Sequence, residues 1–147
     1  PDKALEEAAV QQQDLRRDVY GGNSFDIGEF EPTPAGVASK FFPAVNAAIF
    51  RPYLWEVGSP TMLFSALENT VINVLSILVL FTGLGRFFKF VGSDPFFLFG
   101  LLFTLLLGFG IGLSTANFGA LVRYKIPFMP FYLFIILVAR KRVKKET

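Results

Sequence analysis

Cysteine and histidine are both absent from the 147 residues. Their absence removes disulfides, thiolate nucleophiles, thiol redox chemistry, Cys/His zinc sites and imidazole acid–base catalysis together. Any chemistry must come from carboxylates, Arg, Lys, Tyr or hydroxyls, and neither a metal site nor a cofactor is expected. Charge is scarce as well, at 18% of residues against 52% hydrophobic, with 19 Phe. From Pro95 to Val122, twenty-eight residues pass without one charge. At about 1.5 Å rise per residue that run is longer than the hydrocarbon core of a bilayer. The composition is that of a polytopic membrane protein, with Phe in lipid-facing positions.

The net charge of +2 conceals an asymmetry: residues 1–60 hold nine acidic and five basic side chains, residues 61–147 three and nine. The basic residues flank apolar segments, which suits anionic headgroups or an anionic lipid-linked substrate rather than nucleic acid. The chain begins at Pro1 with neither an initiator Met nor a signal-peptide pattern. It reads as the C-terminal part of a longer protein, or as a processed chain.

Four segments follow in order. Residues 1–34 read as an extramembrane amphipathic helix and an acidic loop. Leu5, Ala8, Ala9, Leu15 and Val19 recur at helical spacing, Asp2 is a candidate N-cap and Gly21–Gly22 a stop. In the loop, Phe25, Ile27 and Phe30 alternate with Asp26, Glu29 and Glu31; the acids lack EF-hand spacing, so calcium binding is set aside. Residues 35–60 read as an interfacial helix, started by Thr33-Pro34, broken or kinked at Pro43, and followed by an Arg51-Pro52-Tyr53-Leu54-Trp55-Glu56 run typical of a membrane-interface belt. Residues 61–139 hold three membrane helices, and residues 140–147 are a basic tail.

In the first span, Glu68 is the costliest charge, and Asn69, Asn73 and Ser76 share one helical face. That stripe reads as a helix–helix hydrogen-bonding seam, with a substrate path as the alternative. Asp94-Pro95 opens the central span, where Gly108 and Gly112 form a small-residue packing face. The Gly108-Phe109-Gly110 spacing inside an apolar run does not make a dinucleotide fingerprint. Ile126 to Ala139 reaches spanning length only if Leu121 to Tyr124 join it, and a re-entrant segment is the alternative. The positive-inside rule puts the tail and the Arg86/Lys89 loop in the cytoplasm, with residues 1–60 and the Asn117–Lys125 loop outside. Arg123 and Lys125 are then basic residues on the outer side, where a phosphate or pyrophosphate headgroup would suit them.

Three stretches, Phe50-Arg51-Pro52-Tyr53-Leu54-Trp55-Glu56, Leu67-Glu68-Asn69 and Asn117-Phe118-Gly119-Ala120-Leu121-Val122-Arg123-Tyr124-Lys125-Ile126-Pro127, resemble the C-terminal region of polytopic bacterial inner-membrane proteins associated with surface-polysaccharide assembly. The resemblance implies further spans upstream and the handling of lipid-linked glycans, and carries no catalytic assignment. The expectation is therefore an all-α membrane protein that binds a lipid-linked anionic glycan at the outer leaflet through Arg51, Glu56, Glu68, Asn117, Arg123 and Lys125. Its partners would be membrane lipids and other transmembrane segments or subunits. The alternatives are a non-catalytic subunit of a membrane complex and, behind it, a channel or transporter.

Overall fold

The computed structural model describes residues 24–145 together with Lys3, Glu6, Glu7, Val10 and Asp14. These five are helical and exposed; Asp2, the apolar face from Leu5 to Val19 and the Gly21–Gly22 stop lie outside the described residues. The remaining elements are α1 (Pro34–Ser39), α2 (Phe41–Phe50), a 3-10 turn (Leu54–Glu56), α3 (Pro60–Gly92), α4 (Pro95–Ser114), α5 (Phe118–Tyr124) and α6 (Met129–Lys145). Three helices begin with the same device, a side-chain oxygen at the N-cap followed by Pro at N1. Thr33 accepts from the Gly36 N–H at 3.0 Å, Ser59 from Met62 at 3.3 Å and Asp94 from Phe96 at 2.9 Å. Each cap satisfies an otherwise orphaned donor, and each proline sits where its missing N–H costs nothing.

The chain is thus all-α among the described residues. Two helical segments, Pro60–Phe81 and Pro95–Ser114, are long and apolar enough to cross a membrane. A third span exists if Phe118–Tyr124 and Met129–Lys141 count as one, because they meet at 70°. The break lies at Lys125–Phe128, where Pro127 removes a backbone donor and disfavours helix at Ile126. Large apolar side chains such as Phe64, Phe81 and Leu106 are exposed on α3 and α4.

Hydrogen-bonded and van der Waals pairs set the register. Asn69 stands opposite Lys125, just before α6, and Ser76 opposite Tyr132 inside it, a constant offset of 56 residues, so α3 and α6 run parallel. Gly100 faces Ile135 and Gly108 faces Phe128, so α4 runs antiparallel to α6. At the α4 N-terminal end, Phe97 stacks on Phe134 with centroids 5.7 Å apart.

One local expectation changes. The interruption between α1 and α2 falls at Lys40, and Pro43 is absorbed in the first turn of α2, where its absent N–H has no intrahelical partner to lose. α2 packs along α4. Ala44, Ala47 and Ala48 are fully buried, with Ala44 against Gly112 and Ala48 near Gly108, so α2 lies alongside the last two turns of α4. Small residues on both helices permit that backbone approach.

Candidate functional site

The site begins with a helix end. The last carbonyls of α2 have no intrahelical donors, and burying them beside an apolar bundle requires partners from elsewhere. Those partners come from the polar stripe of α3. Asn69 Nδ2 donates to the Arg51 carbonyl at 2.8 Å, and Asn73 Nδ2 donates to the Phe50 carbonyl at 3.3 Å. Lys125, at the end of α5, completes the group: its Nζ donates to Asn69 Oδ1 at 2.5 Å and lies 3.5 Å from the Arg51 carbonyl. Asn69 has no exposed surface and Lys125 only 6%. The ammonium therefore lies against the negative end of α2, a favourable place for a cation. Two turns further along, Ser76 meets the Tyr132 hydroxyl at 2.7 Å, a polar rung between α3 and α6.

The Arg51 side chain turns the other way. Its Nε donates to Glu56 Oε1 at 2.9 Å, Nη2 pairs with the same oxygen, and Nη1 donates to the Asp26 carbonyl at 3.3 Å. The guanidinium carbon lies 5.3 Å from the Phe25 ring centre and 5.8 Å from that of Phe118. Glu56 uses its second oxygen to accept from the Tyr53 N–H at 2.9 Å. One arginine thus pins the loop at Phe25, the 3-10 turn and the start of α5 together. Asn117 strengthens the same corner: its side chain caps α5 by accepting from Gly119 and Ala120, while its backbone forms a bridge with Ser24.

Two recesses flank this knot. Arg123 is exposed and lines a cleft of about 190 Å³ with Ser59, Thr61, Ser65 and Phe118. Among the described residues no carboxylate pairs with it. The other recess, about 390 Å³, lies between α2, the 3-10 turn and α3, and its lining from Asn46 to Leu80 contains no charged side chain.

The residues expected at a single outer site therefore divide. Arg51 and Glu56 pair with each other, Lys125 reaches only the Arg51 carbonyl and Asn69, and Asn117 caps α5, so each is already engaged by a partner within the chain. Glu68 points outward, exposed, while its neighbour Asn69 is the buried member of the pair. Arg123 and Lys125, two residues apart, face different ways: the first into the cleft, the second into the knot. Gly108 and Gly112 meet α2. The roles of Ser59, Thr61, Ser65 and Asn46 carry no signal in the sequence, because single hydroxyls and amides are common at helix starts and ends. Among the described residues no three carboxylates are grouped to hold a metal ion. Comparison with family models, curated proteins and solved structures returns no match to this chain.

Proposed function

We propose that the chain belongs to a polytopic bacterial inner-membrane protein that holds an anionic lipid-linked glycan intermediate by its phosphate at the outer leaflet, with Arg123 as the phosphate ligand. The observation that carries this reading is the division of the basic pair. Lys125 neutralises a helix end inside the bundle, whereas Arg123 is left exposed at a cleft edged by three hydroxyl-bearing residues. A guanidinium forms bidentate bonds to phosphate, and hydroxyls add further donors. The cleft lies beside the first turns of α3, and the positive-inside rule places this end outside with the basic tail in the cytoplasm. Of the two carboxylates expected near this site, Glu56 is held by Arg51 and the Tyr53 N–H and Glu68 is exposed; no reaction is assigned.

Retention of a polyprenyl phosphate by the whole chain in phosphatidylcholine nanodiscs tests the proposal. Arg123→Gln is expected to weaken retention about tenfold, the loss of one good charge-assisted contact, while Lys89→Gln at the other end of α3 leaves it unchanged. Equal retention by both variants and the unmodified chain removes the phosphate role.

A second reading, a non-catalytic subunit of a membrane complex, draws on the engagement of Arg51, Glu56, Asn69, Asn117 and Lys125 within the chain, which makes these polar groups serve packing. It predicts no effect of Arg123→Gln on retention. The hydrogen bonds of Asn73 and Ser76 to α2 and α6 give a channel along that stripe no support.

A further inference from the structure

The larger recess has a polarity of its own. At one end Tyr53 and Trp55 stack with centroids 4.7 Å apart and planes within 17°. The Tyr53 hydroxyl donates to Asn46 Oδ1 at 3.1 Å, and the Tyr53 N–H is tied to Glu56, so the aromatic pair is held from two sides. Trp55 is nevertheless 80% exposed. From this platform the recess continues along α3 from Thr70 past Asn73 and Val74 to Leu80, about 15 Å at the helical rise. Val74, Ile77 and Leu80 form its half-exposed apolar wall. At the aromatic end the Asn46 amide N–H groups and the Asn73 carboxamide oxygen make no hydrogen bond among the described residues, since Asn46 uses its oxygen for Tyr53 and Asn73 its nitrogen for Phe50.

We infer that this recess binds one alkyl or prenyl chain of an amphiphile whose head is uncharged and hydroxyl-bearing. The volume of about 390 Å³ lies in the range of small-ligand pockets. Its apolar wall lies on Pro60–Phe81, a segment long and apolar enough to span, so the molecules present at highest concentration around it are lipids. Charge complementarity selects among them. The nearby charges, Arg51 and Glu56, neutralise each other outside the recess, and the lining presents only neutral donors and acceptors. An anionic head would lose its water there without gaining a cation, whereas hydroxyls can donate to Asn73 and accept from Asn46. The exposed face of Trp55 offers an apolar platform for the C–H face of such a head. The inference is independent of Arg123, which lies at the other recess.

Trp55 is the only tryptophan in the sequence, so its fluorescence reports on this place alone. The whole chain in unbrominated phosphatidylcholine nanodiscs is titrated with three brominated single-chain probes that share one tail and carry maltose, phosphate or phosphocholine heads. The maltoside probe is expected to quench Trp55 saturably, with half-saturation about tenfold below any curvature from the other two, which show only the shallow quenching of general lipid contact. Val74→Phe, filling the recess from its half-exposed wall, abolishes the saturable part; Leu106→Phe, on the outward face of α4, does not. Superimposable curves for the three heads overturn the proposal. So does saturation by phosphocholine, which would mean that Trp55 reads a cation. Should Val74→Phe fail to insert, the comparison of heads on the unmodified chain decides by itself.

Discussion

Alanine at Gly112 should destabilise the fold, and no change in the facing side chain should relieve it. A Cβ built on Gly112 would lie 2.6 and 2.7 Å from the Ala44 carbonyl carbon and Cα, whereas ordinary contact begins at 3.4 Å. The Ala44 carbonyl oxygen lies closer still, so the α2 backbone must retreat by about 1 Å, opening the alanine seam it has just closed. Overpacking of this kind costs about 1–3 kcal/mol, against a gain of up to about 1 kcal/mol from replacing glycine in a helix. Three glycines on one helix separate these contributions. At Gly110 nothing lies within 4 Å of the added methyl, and at Gly108 the nearest atom is Ala48 Cβ at 3.6 Å, an ordinary contact. Reversible unfolding in mixed detergent micelles, titrated with dodecyl sulfate, should thus rank Gly110→Ala at or above the unmodified chain. Gly108→Ala should be close to it, and Gly112→Ala clearly below. Because the obstruction is Ala44 backbone, the double variant Gly112→Ala/Ala44→Gly should stay as unstable as Gly112→Ala. Rescue by Ala44→Gly, or equal stability of Gly110→Ala and Gly112→Ala, would refute the seating of α2 on α4.

The polar knot makes further predictions by the same unfolding assay. Asn69→Leu strips the buried Lys125 ammonium of its closest acceptor and the Arg51 carbonyl of a donor, a loss of about 1–3 kcal/mol. Tyr132→Phe removes one interhelical hydroxyl contact and should cost about 0.6 kcal/mol, the average for such bonds between membrane helices. Glu56→Gln leaves Arg51 without its ion pair and the Tyr53 N–H without its carboxylate, so protease accessibility at residues 51–58 should rise while α3 and α4 stay protected. Arg123→Gln, changing an exposed side chain, should leave stability within about 0.5 kcal/mol and alter only headgroup retention.

Features that depend on short-range chemistry were legible from the residues alone. An uncharged run such as Pro95–Ser114 can end only where its length and its flanking Asp94-Pro95 allow, and Thr33-Pro34 starts a helix wherever it lies. The Asn69, Asn73 and Ser76 stripe followed from helical periodicity, as did the small-residue face of Gly108 and Gly112. What each face meets was beyond that reading. A period specifies a direction about the helix axis, while the partner depends on contacts tens of residues away: Lys125 reaches Asn69 across 56 positions, and Gly112 meets Ala44 across 68.

The sequence by itself determined the helical class, the apolar segments of spanning length and the concentration of unusual polar residues near their ends, because burial period and hydrocarbon thickness act on local stretches of chain. Only the tertiary structure decided that α2 lies on α4, since that depends on two small-residue faces finding each other. It also decided which member of each neighbouring pair turns inward. Glu68 and Asn69, like Arg123 and Lys125, are similarly placed in sequence; helix rotation and the 70° bend at Pro127 send Asn69 and Lys125 to the α2 carbonyls and leave the other two outside. The bundle's remaining orphan acceptors, at the end of α2, needed donors in the interior, and burial in a low-dielectric core selected the side chains that could reach them.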